Sequence, residues 1–266
     1  MSIRSETRAV EDRKQREKEF HNKAFQEETR KKTCVERFYD SANSSKGFYK
    51  NYLQANCRNK RVLEYGCGPD GYSTFMARHG GIVTGIDISE IAIEQSRKLA
   101  HNERATGVDF RVMDAECLKF EDSTFDLICG TAILHHLDFR RALSEVSRTL
   151  KPDGSAAFIE CLGHNPLINF YRKLTPHLRT EDEHPLLMSD LKIARDYFGK
   201  VETHFFHFAG LMAIPFQKVR GAQYLSRALD SVDRFAFRFL PFMRKYSWAV
   251  VIVLTQPKKA NSMGQP

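Results

Sequence analysis

The stretch that most constrains this chain is Arg61-Val62-Leu63-Glu64-Tyr65-Gly66-Cys67-Gly68-Pro69-Asp70-Gly71-Tyr72-Ser73. A short apolar run carrying one acid breaks into closely spaced glycines and then into a helical pattern, which reads as a strand, a tight turn and a helix N-terminus. The rest of the chain continues in the same alternation. Residues 61–65, 82–87, 108–112 and 125–129 are strand-like, as are 155–161, 201–208 and 247–255. Between them, 72–79 is helical and stops at Gly80-Gly81, Ser89 caps a helix running to Ala100, and Asp138 caps one carrying Phe139, Leu143, Val146 and Leu150 at helical intervals. The turn Lys151-Pro152-Asp153-Gly154 follows. Strands and helices alternating at this spacing imply an α/β fold with a doubly wound, mostly parallel sheet of seven strands.

The flanks divide the chain further. Residues 1–32 are dense in mixed charge with only Ile3, Val10, Phe20 and Phe25 as sparse apolar positions, a solvated helix or an arm over a site. Residues 33–57 read as two helices joined by a loop at 41–47. After residue 161 the alternation loosens into Pro-interrupted segments, a helix at 189–198 and a long helical pattern over 210–245. The expected organisation is an N-terminal helical arm with covering helices at 1–57, a ligand-binding core at 58–161, an acceptor-side half with helical lid insertions at 162–256, and a disordered tail at 257–266.

At 266 residues the chain suits one well-buried α/β domain with elaborations. It shows no membrane-spanning apolar run and no secretory leader, and its six cysteines have no C-x-x-C spacing. A cytoplasmic protein with reduced thiols and no metal is expected. The net charge of +8 permits an anionic substrate, a nucleic acid or an anionic membrane surface.

Gly66-x-Gly68-x-x-Gly71, with Asp87 ending the next strand, satisfies the dinucleotide fingerprint, including its acid about 20 residues on. Two ligands fit such a turn, a nicotinamide or flavin dinucleotide and S-adenosylmethionine. A pyrophosphate wants backbone amides and gains nothing from nearby carboxylates, whereas a sulfonium cation does. Glu64 before the first glycine and Asp70 within the loop favour the cation.

Those residues, Val62-Leu63-Glu64-Tyr65-Gly66-Cys67-Gly68-Pro69, resemble motif I of class I S-adenosylmethionine-dependent methyltransferases, particularly the small-molecule branch of type 11 and ubiquinone or menaquinone enzymes. Ile82-Val83-Thr84-Gly85-Ile86-Asp87-Ile88-Ser89 resembles the second-strand motif whose acid holds both ribose hydroxyls. Asp114-Ala115-Glu116 resembles the loop that reads adenine, and Phe125 to Leu137 the fourth strand and the loop facing the transferable methyl. Phe38-Tyr39-Asp40 resembles the segment whose aromatic residue covers the methionine end. The resemblance spans roughly residues 60–160. It implies a Rossmann-like methyltransferase fold, S-adenosyl-L-methionine as cofactor, and a cofactor set of Tyr39, Glu64, Gly66, Cys67, Gly68, Asp87, Ile88, Asp114, Ala115 and Gly130.

Methyl transfer from a sulfonium is an in-line displacement that needs a positioned acceptor and, for a weak nucleophile, a base. His135, His136 and Glu160 are the leading catalytic candidates, with His164, Asp182, Glu183 and His184 behind them. Neighbouring His135 and His136 point in different directions, so one of them at most faces the pocket. The insertions are rich in Phe, Leu, Met and Tyr, with Arg220, Arg227 and Arg234 at seven-residue intervals. They suit a lid over an apolar, lipid-like or secondary-metabolite acceptor, with peripheral membrane contact through the basic aromatic lid, and a homo-oligomer is permitted. The alternatives are an RNA methyltransferase, against which stands the lack of an Asn/Asp-Pro-Pro-aromatic motif at 130–133, and a cofactor-binding regulator.

Overall fold

The computed structural model describes residues 3–26, 43–69, 71–176, 180, 183–216, 219 and 221–259. Seven strands form one sheet: β1 (Arg61–Tyr65), β2 (Ile82–Asp87), β3 (Val108–Val112), β4 (Phe125–Thr131), β5 (Leu150–Cys161), β6 (Phe198–Phe206) and β7 (Ala249–Pro257). Their order is β3-β2-β1-β4-β5-β7-β6, with β7 antiparallel to both its neighbours and the other pairings parallel. The helices are α1 (Ile3–Gln26), α2 (Asn43–Asn56), α3 (Ser73–Arg78), α4 (Glu90–Asn102), α5 (Phe139–Thr149), α6 (Pro166–Leu174), α7 (Met188–Tyr197) and α8 (Ala222–Phe239).

Strands buried on both faces need apolar residues at every position, which is why β1 reads as a continuous run and not as an alternation. The two-residue pleat splits that run between two cores. Leu63 and Tyr65 pack with Ile128, Phe158 and Ile252 under α5 and α7, while Val62 packs with Leu127, Val251 and Val253 under α2 and α3. Glu64, on the same strand, is the exception, a buried carboxylate at 1 % exposure.

Local chemistry fixes the helix starts. The Ser89 side chain accepts from the Ala92 N–H and the Asp138 side chain from the Arg141 N–H, capping α4 and α5. Four expectations are corrected. The loop expected at 41–47 is helical from Asn43, through Gly47, because Tyr49 and Leu53 on that helix are fully buried against the sheet; residues 33–42 lie outside the described residues. The turn at 151–154 interrupts no strand: Phe125 pairs with Leu150 and Leu127 with Ser155, so the four residues bulge within β5. The last two strands shift, β6 starting at Phe198 and β7 at Ala249, since Ser247 is held by its hydroxyl on the Arg244 carbonyl. The pattern over 210–245 divides into a 3₁₀ segment at Ala209–Phe216, α8, and a second 3₁₀ segment at Pro241–Tyr246, where proline cannot continue a helix.

Because β7 is reversed, Ala249 lies opposite both Cys161 at the end of β5 and Phe206 at the end of β6. Both insertions, 162–197 and 207–248, therefore begin or end at the sheet's carboxyl edge. At the opposite half of that edge, α1 lies across the segments after β2, β3 and β4. Its Lys18 pairs with Glu90, its Asn22 accepts from the Ser89 hydroxyl, and its Phe25 carbonyl accepts from Gln95.

Candidate active site

A cavity of about 490 Å³ opens beneath α1 at the carboxyl ends of β1, β2 and β4. This is the crevice where open α/β sheets take their ligands. Its floor is the glycine turn. Gly66 has a φ of +57°, and a Cβ there would stand 2.6 Å from Ile133 Cδ1; a Cβ on Gly71 would stand 2.3 Å from the Cys67 carbonyl oxygen and 2.8 Å from Glu64 Oε1. The turn folds back on itself this closely because neither position carries a side chain.

Glu64 holds the turn to the following helix. Its Oε1 accepts from the Tyr72 N–H at 2.7 Å and its Oε2 from the Ser73 hydroxyl at 2.5 Å. Burial pushes the carboxyl up to about 7, against the lowering effect of those donors. Asp87 holds the same turn to the second strand: Oδ2 accepts from the Gly68 N–H at 3.0 Å and Oδ1 from the Ser89 N–H at 2.9 Å. Burial raises its carboxyl above the ordinary value, with the Ser89 and Gly68 amides opposing the rise. Since Ser89 caps α4, Asp87 is not needed as the cap.

Asp114 and Glu116 border the cavity differently. Lys14 of α1 reaches Asp114 Oδ2 at 2.6 Å and Glu116 Oε2 at 3.1 Å, and Arg13 pairs with Glu116. Glu116 lies below its ordinary carboxyl value, the Arg13 hydrogen bond outweighing burial together with the Asp138 amide. Among the described residues, Glu64 and Asp87 have no basic side chain within ion-pair distance. The carboxylates left without a counter-charge are thus the two that frame the glycine turn.

Of the sequence-expected cofactor residues, Glu64, Gly66, Cys67, Gly68, Asp87, Ile88, Asp114 and Ala115 all line this cavity. Gly130 does not: it packs beneath Ile133 and Phe158, and its carbonyl accepts from the buried Tyr49 hydroxyl at 3.0 Å. Tyr39 and Asp182 lie outside the described residues.

The catalytic candidates separate in the same way. His136 faces the cavity, whereas His135 and Glu160 lie behind its wall at 6 % and 2 % exposure. Glu160 Oε1 accepts from the Ile133 and Leu134 N–H groups at 2.9 and 2.8 Å, and its Oε2 accepts from His135 Nδ1 at 2.6 Å. On its other side His135 Nε2 stands 3.9 Å from Glu183, which pairs with Arg172 at 2.8 Å. This set braces the 3₁₀ turn Leu134–His136 from below. His164 accepts the Met188 N–H and serves the start of α7, and the His184 N–H donates to the His135 carbonyl.

Sequence reasoning missed what α1 brings. Arg13, Lys14, Glu17, His21 and Phe25 all line the cavity roof. Glu17 is 5 % exposed, its Oε1 accepting from the Thr180 hydroxyl and its Oε2 lying 3.2 Å from His136 Nδ1 and 3.4 Å from His21 Nε2. Its carboxyl falls well below the ordinary range, the adjacent His136 and His21 rings and the Thr180 hydroxyl outweighing burial. The signal was present as spacing: residues 13, 14, 17 and 21 share one helical face, opposite the solvated charges.

Strand order, reversed last strand, glycine turn and following acid define a Rossmann-like methyltransferase fold. Comparison with known proteins agrees. Residues 63–158 match the family described as methyltransferase domain. The phthiotriol/phenolphthiotriol dimycocerosates methyltransferase of Mycobacterium tuberculosis is 28 % identical over 202 residues, covering 71 % of this chain and 73 % of that protein. The ubiquinone biosynthesis O-methyltransferase of Coxiella burnetii is 32 % identical over 106 residues, 40 % of this chain and 45 % of that one. The crystal structure of geranyl diphosphate C-methyltransferase from Streptomyces coelicolor, in complex with Mg²⁺, geranyl diphosphate and S-adenosyl-L-homocysteine, superposes with a TM-score of 0.55 at 15 % identity, covering 79 % of each chain. Residues 63–158 thus resemble a methyltransferase domain, and the chain is an S-adenosylmethionine-dependent small-molecule methyltransferase. The RNA-directed and non-catalytic alternatives are not favoured.

Proposed function

We propose that the protein transfers a methyl group from S-adenosylmethionine to an apolar, lipid-like acceptor, with His136 as the base that takes the acceptor's proton. The observation that carries the donor side is the pair of carboxylates, Glu64 and Asp87, that frame the turn with no ion pair of their own among the described residues, while the roof cations Arg13 and Lys14 are engaged by Glu116 and Asp114. A sulfonium and an α-ammonium group supply the missing charge. In this reading Glu64 anchors the methionine end through the turn it braces, Asp87 accepts from the two ribose hydroxyls, and the Asp114–Ala115 loop meets adenine. Cys67, Gly68 and Ile88 supply wall and backbone.

The proton follows a short path. Glu17 Oε2, 3.2 Å from His136 Nδ1, favours the tautomer protonated at Nδ1 and leaves Nε2 to accept the proton of an acceptor hydroxyl as the methyl moves along the S–C axis. His135 and Glu160 act as positioning residues by setting the turn that carries His136. The relatives' acceptors, a dimycocerosate and one in ubiquinone biosynthesis, are lipid-like and quinone-related. Phe25, Ile133 and Leu137 on the cavity wall suit the same class.

A cytoplasmic setting belongs to this reading. It is supported by the free thiols among the described residues, at Cys57, Cys67, Cys117, Cys129 and Cys161.

Tritiated methyl transfer from S-adenosylmethionine into a cell extract, partitioned into organic, aqueous and RNA fractions, tests the acceptor class. Label in the organic phase is expected; label confined to RNA would reject the reading. Asp87→Ala is expected to weaken S-adenosylmethionine binding at least tenfold, about 1.4 kcal/mol or more. Titration calorimetry giving the wild-type affinity removes Asp87 from the site.

A further inference from the structure

The insertions give the carboxyl edge an apolar surface of its own. Among the described residues, every large apolar side chain counted as exposed, apart from Ile82 and Val112, lies between Leu167 and Phe242. On α8 they form a seam, Leu225, Val232, Phe235 and Phe239 with Ala228 between, stepping by three and four residues; Phe235 is 66 % and Phe239 60 % exposed. Leu167, Phe170 and Leu174 repeat the same step on α6. Such stripes ordinarily face a core. Here they face outward.

The charge around them has one sign. Arg227, Arg234 and Arg238 flank the α8 seam and Lys173 lies on α6, all exposed. The two carboxylates of α8 turn inward: Asp233 accepts from the Phe208 and Ala209 N–H groups, and Asp230 from the Ser44 hydroxyl. Both helices brace the same 3₁₀ segment, since Asn165 at the start of α6 donates to the Tyr246 carbonyl and Arg244 donates to the Phe237 carbonyl of α8. The face thus stands on the same carboxyl edge as the cavity, at the β5, β6 and β7 half of it.

We propose that this face docks on an anionic lipid bilayer and that the lipid-like acceptor reaches the cavity from there; the second clause rests on the acceptor reading given above. Aromatic side chains on a basic helix enter the headgroup region while the arginines meet the anionic lipids, each cation contributing roughly fivefold in affinity. A second copy of the chain fits the face less well. Seam-to-seam packing would bring the arginines of one copy against those of the other, with no exposed carboxylate on α8 to separate them.

Flotation of the full chain with phosphatidylcholine vesicles, with and without phosphatidylglycerol, tests the inference. Binding is expected only to the anionic vesicles and weakens as salt is raised. The double variants Arg234→Gln with Arg238→Gln and Phe235→Ser with Phe239→Ser should each reduce it, the arginine pair by roughly twentyfold, with S-adenosylmethionine affinity unchanged as the control for folding. Equal binding to both vesicles, binding to neither, or a dimer in sedimentation velocity that Phe235→Ser dissolves would overturn it. Methylation of detergent-solubilised lipids separates the two proposals. Transfer without vesicle binding rejects the docking face and keeps the acceptor class, whereas vesicle binding with no lipid labelled keeps the face and rejects the acceptor.

Discussion

Alanine at position 136 is expected to lower kcat by roughly a hundredfold or more, the usual contribution of a positioned general base, with little change in KM for S-adenosylmethionine. The imidazole faces the cavity, and its Nδ1 stands 3.2 Å from the Glu17 carboxylate, which is itself buried and accepts from Thr180. Glu17→Gln keeps the helix in place but ends the preference for one tautomer, so kcat falls with KM nearly constant, and Glu17→Asp restores part of it. His135→Ala behaves differently. It leaves Glu160 Oε2 without its 2.6 Å partner in the interior, and the loss is one of stability, on the order of 3 kcal/mol. Chemical denaturation and steady-state kinetics on the same preparations distinguish the two histidines. Wild-type kcat in the position 136 variant would remove the base from the mechanism.

Glu64→Gln is expected to make the free protein more stable at pH 8 and worse at binding its cofactor. The carboxyl is raised from 4.5 to about 7 by burial, so the folded state binds a proton that the unfolded state has released. The free protein therefore loses stability as pH rises from about 4.5 to about 7, by on the order of 3 kcal/mol. Glutamine removes that slope. Some of the gain is returned because an amide nitrogen would face the Tyr72 or Ser73 donor, leaving up to about 2 kcal/mol, or about 2–4 °C in Tm for each kcal/mol. The same linkage makes wild-type affinity for the sulfonium cofactor rise with pH across this range, because the cation pairs with the ionised form. Thermal melts and titrations of both proteins at pH 6 and pH 8 check this. A lower Tm for the glutamine variant at pH 8 contradicts it.

The core was legible because each of its elements carries its own chemistry. Residues 61–65 are apolar on both faces of the pleat, Ser89 and Asp138 cap where a cap was read, and the glycine turn, Asp87 and Asp114 converge on one cavity. Where tertiary packing decides, local reading failed. Gly47 and its polar neighbours read as a loop, yet Tyr49 and Leu53 draw them into α2. Gly130 sits inside the expected motif, but its neighbours Thr131, Ala132 and Ile133 form the wall. The adjacent histidines could be split only by seeing which lies over Glu160. The roof was the hardest to foresee. A helix as charged as α1 offers no apolar stripe, and Glu17 gains its role from contacts with residues more than a hundred positions away.

The reversed direction of β7 carries a consequence for how such a protein can be re-engineered. Apart from the roof supplied by α1, every residue proposed to touch the methyl donor precedes Cys161, and segment 207–248 starts and finishes on the carboxyl rim of the sheet, whereas 162–197 starts there and finishes at the opposite rim, where β6 begins. Segment 207–248 can therefore be exchanged between related enzymes as a cassette while the floor that precedes Cys161 is left untouched.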